Sequence, residues 1–326
     1  MNTGGSGLLV ISDLHLTADP ADDYRWGFLE TLYDLAANDK QVLILGDITD
    51  RRDRHPADLV NAFIHCLRYL TENIGAEVTI LQGNHDRPVY SSVHAYWSFL
   101  NGLNKIQFVT KPQAMDGAIL LPYHDKPEDA WEHIDFWPFR TAFAHIPMRQ
   151  LDQLVTLLPR MPPIIYSGDE HPPKTVGKVT YVGAPHPVKY GDDYRCRILQ
   201  LDANYAIARD ITLHPPGRRM IDIKTAADLA NISVNSGDSA KVRLHLELDQ
   251  ARDWSTEQAK ITAWALEHGV ALTSVEPMVA IPTLNSAIPE AGDPESVLTA
   301  YMDAMNMQPP VRDAGRGLLA AYNEGR

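Results

Sequence analysis

The chain has 326 residues, 44% hydrophobic and 22% charged, with two cysteines and a net charge of −13. That length admits one large domain, or one domain with a smaller appendage, and two cysteines exclude a disulfide framework and suit a reducing cytoplasm. No run approaches the roughly 18 apolar residues of a membrane span, the polar start Met1–Gly7 lacks the parts of a signal peptide, and the acidic balance excludes holding nucleic acid by bulk electrostatics alone.

Along the first half, short β-branched or apolar runs alternate with helical patterns, which predicts an α/β domain. Leu8–Ser12 is expected to be a strand, followed by a helix over about Tyr24–Ala37. Val42–Leu45 is a second buried strand, and Pro56–Glu72 a helix with proline at its start. Val78–Leu81 is the third strand. Later strands are predicted at Ile106–Val109, Ala118–Leu121, Thr141–Ala144, Ile164–Tyr166, Val179–Val182, Arg197–Leu201 and around Ala206–Leu213. The turn residues His214-Pro215-Pro216-Gly217 suggest a boundary, giving domains 1–216 and 217–326. Beyond it, strands at Val242–Leu248 and Val270–Val275 flank a helix at Ser255–Glu267, followed by short helices at Pro294–Met305 and Gly315–Asn323. This small α+β appendage holds 10 basic and 15 acidic residues, so it is no basic DNA-binding module by composition.

Polar residues gather where the strands end. The first strand runs into Asp13-Leu14-His15, the second into Gly46-Asp47-Ile48-Thr49-Asp50, and the third into Gly83-Asn84-His85-Asp86. His145 follows Ala142-Phe143-Ala144, and Ser167-Gly168-Asp169-Glu170-His171 follows the strand at Ile164. Strand ends of an open α/β sheet converge on a crevice without disturbing the core. Asp-x-His on an extended chain would send both side chains to the same side. Mixed carboxylate and imidazole donors suit a divalent first-row metal. Each tripeptide alone has a bland alternative, a solvated turn or an N-cap; five together at strand ends point to metals.

In this order, DLH, GDITD, GNHD, a later His and G-x-x-H resemble the calcineurin-like metallophosphoesterase family over about residues 8–201. The resemblance implies a two-sheet β-sandwich flanked by helices, an αββα arrangement, with two divalent metals at one edge. By motif position one metal would take Asp13, His15 and His171, and the other Asn84, His145 and Asp169, with Asp47 bridging. His85 would be the non-ligand histidine beside the scissile phosphate, and Asp50 the residue that orients it. Where the family has Gly-His-x-His, this chain has Gly168-Asp169-Glu170-His171. The added carboxylate favours a harder ion, manganese or magnesium ahead of iron or zinc, or else weakens the second site.

A narrower resemblance lies in Tyr181–Asp192 (YVGAPHPVKYGD), which is similar to the Y-x-G-[SA]-P segment and aromatic-Gly-acid turn of the SbcD nucleases, the bacterial and phage relatives of Mre-type repair nucleases. Pro294–Tyr301 resembles the C-terminal segment of that group, and Gly-Asp-x-His its phage variants. The resemblance implies a DNA exo- or endonuclease of repair or recombination, working in the cytoplasm of a bacterium or phage-infected host with an SMC-type, SbcC-like ATPase. A small-molecule nucleotide phosphodiesterase and a non-catalytic scaffold of the same fold are the alternatives. Arg51, Arg52, Arg54, Arg87 and His124 are candidates to meet substrate phosphates. The face Leu59, Phe63, Leu67, Leu70 either packs on the sheet or supports a homodimer.

Overall fold

A computed structural model describes residues 7–87, 95–246 and 254–279, together with 298, 299, 302, 312 and 313. The apolar runs become strands because alternate side chains can be buried on opposite faces. In chain order the first are β1 (Leu8–Ile11), β2 (Gln41–Ile44), β3 (Glu77–Leu81) and β4 (Ile106–Val109), which pair in parallel. Two helices cross between them, α1 (Phe28–Asp39) and α2 (Ala57–Arg68). A second sheet follows: β5 (Gln113–Met115), β6 (Ala118–Leu121), β7 (Thr141–His145), β8 (Ile164–Gly168), β9 (Lys174–Val176) and β10 (Val179–Tyr181), with the short α3 (Pro127–Trp131) before β7. The chain then returns to the first sheet through β11 (Arg197–Leu201) and β12 (Ile207–Thr212). Both sheets have six strands, ordered β12-β11-β1-β2-β3-β4 and β5-β6-β7-β8-β10-β9.

Alternation in β1 divides two cores. Leu8 and Val10 join Leu43, Leu45, Phe143 and Tyr166 between the sheets. Leu9 and Ile11 face outward with Val42 and Ile44 and are covered by Phe28, Leu32 and Ala36 of α1. The second sheet buries its other face under Trp131, Phe136, Leu154 and Leu157. This is the expected sandwich flanked by helices.

Leu59, Phe63, Leu67 and Leu70 belong to the first of these outer cores, with exposures of 4%, 3%, 1% and 2%. The apolar face considered for a homodimer is therefore consumed within the fold, because the outward side of β2 and β3 needs a cover. Two helices also differ from expectation. The segment before α1 is a 3-10 turn, Pro20–Trp26, capped by the Asp19 side chain on the Ala21 amide. After α2 the chain widens into a π-type turn at Tyr69–Ile74, where the Thr71 hydroxyl donates to the Leu67 carbonyl at 3.0 Å and Gly75 (φ 84°) ends it.

Beyond the predicted boundary, β13 (Arg218–Ile223), β14 (Ser239–Leu246) and β15 (Ala271–Val279) form a separate parallel sheet with α4 (Trp254–Glu267) between the last two. It has its own core, including Ile221, Val242, Leu244 and Ile261. Strand β13 was not expected from sequence; its arginines hide its alternation. The helix proposed at Gly315–Asn323, and most of that at Pro294–Met305, lie outside the described residues.

Candidate metal centre

Strands β1, β2, β3, β7 and β8 all end at one edge, so the five polar motifs meet there. The chain does not stay extended as it leaves β1. Asp13 and His15 have φ of 54° and 41°, in the left-handed region. Asp-x-His is therefore not the extended stretch expected from its spacing. Both side chains are buried at the site by a left-handed turn whose amides follow β2: Asp13 N donates to Gly46 O and His15 N to Asp47 O. Asp47 (φ 54°) and Asp169 (φ 87°) share that strained conformation, a cost of the kind that clusters at functional sites.

Three glycines let the chains approach. A Cβ on Gly83 would stand 2.2 Å from Asp47 Oδ1 and 2.4 Å from Asp47 N, and one on Gly168 2.7 Å from His145 Nδ1. Gly46, at φ 92°, lies equally close to His145. The glycines of the motifs are therefore clearance for the ligand set.

One group forms around His145. Its Nδ1 donates to the Leu45 carbonyl at 2.6 Å, which leaves Nε2 aimed at Asn84 (2.9 Å), Asp47 Oδ1 (3.5 Å) and Asp169 Oδ1 (3.7 Å). The Asn84 amide oxygen points inward at Nε2, the orientation a cation at the centre would call for. Turned over, its nitrogen would instead meet the Asp47 and Asp169 carboxylates and its oxygen Arg52. The other group forms around His15, whose Nε2 is 3.1 Å from His171 Nε2 and 3.6 Å from Asp47 Oδ2. Asp47 thus offers one oxygen to each group.

Asp13 lies deepest. Its Oδ1 accepts from Asp169 N at 2.9 Å, while Oδ2 is buried without a hydrogen-bond donor. Burial raises its pKa, and the neighbouring Asp47 carboxylate adds to this. His15 is held well below its ordinary pKa, first by burial and then by the nearby His171 and His85. A neutral imidazole and a buried carboxylate oxygen lacking a donor are the state a cation would satisfy, so the residues fit a pair of divalent metals. By proximity alone Asp13 groups with Asp47 and His145, and His85 with His15 and Asp47.

His145 supplies a test. Burial acts to lower its pKa, but the carboxylates of Asp47, Asp169 and Asp13 outweigh it and push it up to about 10. Without a cation the ring is protonated at neutral pH, and ligation requires it neutral. Manganese uptake at pH 7.5 should therefore release protons, and apparent affinity should rise about tenfold per pH unit for each proton displaced. Calorimetry in buffers of different ionisation enthalpy measures this; an affinity flat between pH 6 and 9 would contradict it.

His85 and Asp50 meet through the backbone. His85 Nδ1 lies 2.6 Å from the backbone carbonyl of Asp50, to which it donates. The Asp50 carboxylate is instead 3.6 Å from His15 Nδ1 and 3.9 Å from Arg25 Nη1. The reason is local: Thr49 bridges to Leu16 and Asp50 N donates to Leu16 O, which turns the Asp50 carbonyl toward His85. Asp50→Asn should accordingly lower turnover less than about tenfold. A loss as large as that of a His85 variant would assign the orienting role to the Asp50 side chain.

The phosphate candidates separate. Arg51 and Arg54 line a cleft of about 490 Å³ beside Asp50. Arg52 approaches Asn84. Arg87 is buried and 3.5 Å from Asp125. His124 is exposed and closes its own loop on Lys126, with Nδ1 taking the Lys126 amide at 3.1 Å. Arg87 and His124 are absent from the lining of the main cleft.

Sequence reading did not assign Asp86, Arg25 or His186. Asp86 is fully buried and accepts from the amides of Asp47 (2.9 Å), Ile48 (3.1 Å) and Gly83 (2.7 Å), which locks the bridging turn. Its place at the end of GNHD was the available signal. His186 Nε2 donates to the Leu14 carbonyl at 2.7 Å, and burial drives its pKa down to about 3.

The family model for calcineurin-like phosphoesterases matches residues 7–183. The chain belongs to that family. As a calcineurin-like phosphoesterase it is a metal-dependent hydrolase of phosphate esters, of a kind that typically uses two metals. A search of curated proteins finds no match. Among solved structures, the nuclease MPE of Pseudomonas putida is similar at a TM-score of 0.32 and 16% identity, covering 63% of this phosphoesterase and 87% of that chain. Among the described residues no helix is long and apolar enough to cross a membrane.

Proposed function

We propose that this phosphoesterase is a DNA nuclease of the SbcD type, cleaving phosphodiester bonds with two divalent metals, manganese foremost, alongside an SMC-type ATPase. The observation that carries the reading is the composition of the cleft over the ligand set. It measures about 980 Å³ and is lined by Lys189, Tyr190, Arg218 and Lys241 as well as by the metal-ligand candidates. The Arg51–Arg54 cleft adjoins it, sharing Asp22 and Asp50. Cations on both sides of a carboxylate-rich centre suit a polyanion longer than one nucleotide. The Tyr181–Asp192 segment, which carries the SbcD resemblance, supports the ligand turns, with Ala184 N donating to His171 O at 2.9 Å and His186 holding Leu14, and its Val188–Tyr190 end lines the cleft.

Asp13, His15, His171 and Asp47 would hold one metal and Asn84, His145, Asp169 and Asp47 the other. Bound there, such ions supply Lewis-acid activation of water and neutralise charge on phosphate oxygens. The chain's own part falls to His85. With Nδ1 fixed on the Asp50 carbonyl, its Nε2 faces the cleft and, when protonated, can hydrogen-bond a phosphoryl oxygen or pass a proton to the departing sugar oxygen.

Labelled single- and double-stranded DNA in manganese, with bis-p-nitrophenyl phosphate in parallel, tests the reading. Cleavage should be salt-sensitive. Replacing Arg51, Arg52 and Arg54 together with Ala should reduce DNA cleavage at least tenfold more than diester hydrolysis. Equal loss on both would assign those arginines to the centre itself. Turnover of nucleotides without cleavage of DNA under any divalent metal would make this a small-molecule phosphodiesterase, and no turnover of either would make it a scaffold.

A further inference from the structure

A buried guanidinium stands beside the metal centre, in the wall of the cleft over it. Arg25, in the 3-10 turn Pro20–Trp26, is 3% exposed. Such a charge is costly inside a protein unless its donors are used. Its Nη1 donates to the His15 carbonyl and lies 3.9 Å from Asp50. Its Nη2 donates to the Val188 carbonyl at 3.2 Å and lies 3.3 Å from Asp22. The His15 carbonyl needs such a partner. His15 sits at φ 41°, where a residue with a side chain is strained, and the guanidinium holds the peptide in that orientation.

The appended sheet reaches the same group. Arg218, the first residue of β13, pairs with Asp22 and donates to the Val188 carbonyl at 3.1 Å. Its guanidinium carbon lies 5.5 Å from the ring centre of Tyr24 and 4.5 Å from that of Tyr190. Tyr190 in turn hydrogen-bonds Thr273 of β15, and Gly191 N donates to Arg218 O at 2.8 Å. Two arginines, one from the 3-10 turn and one from β13, therefore share one carboxylate, Asp22 (7% exposed, also accepting from the Thr17 hydroxyl at 2.9 Å), and one carbonyl, Val188. Losing Arg218 leaves Arg25 to take Asp22 and Val188 alone, and a shift of its fork changes its hold on His15.

We infer that Arg25 is a positioning residue that sets the backbone of the metal ligand His15, and that Arg218 of the appended α+β unit aligns it through Asp22. This rests on the assignment of His15 as a ligand. The appended unit thereby acts on metal affinity from outside the ligand set, as well as lining the cleft.

The test measures manganese binding by calorimetry, kcat and KM on bis-p-nitrophenyl phosphate at saturating manganese, and Tm in EDTA, all in the full chain. Arg25→Met should weaken manganese binding at least tenfold, Arg218→Met and Asp22→Asn at least threefold. The double variant Arg25→Met/Arg218→Met should match Arg25→Met alone within twofold, because Arg218 acts only through Arg25. Arg218→Lys, which keeps the charge, should recover part of the affinity. The KM for the diester in Arg25→Met at saturating manganese should change less than the manganese affinity, because the guanidinium is 3% exposed and its Nη atoms are engaged by protein groups. A purely structural clamp would lower Tm in EDTA and leave manganese affinity unchanged; that result overturns the inference, as does full additivity in the double variant. Should Arg25→Met fail to fold, unchanged affinity in both Arg218→Met and Asp22→Asn overturns it equally. A wild-type chain that binds no manganese would instead refute the ligand assignment itself.

Discussion

Asp47→Ala should leave a folded protein that has lost its divalent metals and nearly all its hydrolysis. Asp47 is the one carboxylate common to both groups of ligand-capable atoms. Its Oδ1 faces His145 and its Oδ2 faces His15. Its main chain is held by Asp86, whose hydrogen bonds from the Asp47 and Ile48 amides do not need the Asp47 side chain. The turn should therefore survive the truncation. The loss of several kcal/mol of transition-state stabilisation that such metals supply corresponds to a fall on the order of 10³-fold or more. Bound metal by emission spectrometry, turnover and Tm are the readouts. Wild-type Tm should rise with manganese by mass action, and that of the variant should not. A variant that keeps two metals and measurable turnover would sink the bridging assignment.

His85→Ala makes the contrasting case. The ring is half-buried, its Nδ1 is engaged by the Asp50 carbonyl, and its amide donates to Asp47 Oδ1 at 2.8 Å. Alanine preserves that amide and so the orientation of Asp47. If His85 serves the phosphate, metal content should stay near wild type while turnover falls roughly 10²–10⁴-fold, the usual worth of a positioned acid or base. The loss should be smaller on a substrate whose leaving group needs no proton, such as p-nitrophenolate, than on DNA. His85 also lies within ligand reach of His15 and Asp47, with its ring centre 4.9 Å from that of His15. Loss of one metal in this variant would make His85 a ligand and require another residue for the phosphate.

The two variants probe residues of the same strand-end motifs, so their difference depends on geometry that spacing does not contain. The motifs were legible because strand ends follow apolar runs, and the runs were read correctly for β1, β2, β3, β7 and β8. Asp86 escaped assignment because a buried carboxylate that binds backbone amides has the same spelling as one that binds an ion. Arg25 escaped because nothing nearby in sequence suggests that its guanidinium would be held by the carbonyls of His15 and Val188, the latter far along the chain.

Sequence by itself determined the α/β sandwich, its helical covers and the family, since periodicity and strand-end residues are local properties. Tertiary structure decided what periodicity cannot encode. It turned Asp13 and His15 through left-handed backbone instead of an extended strand. It decided that His85 meets Asp50 at the backbone carbonyl, an atom the motif does not specify. It also spent Leu59, Phe63, Leu67 and Leu70 on the sheet and not on a partner, because the outward face of β2 and β3 is apolar and must be covered. In each case the deciding contact joins residues whose nearness exists only once two strands or two sheets have met.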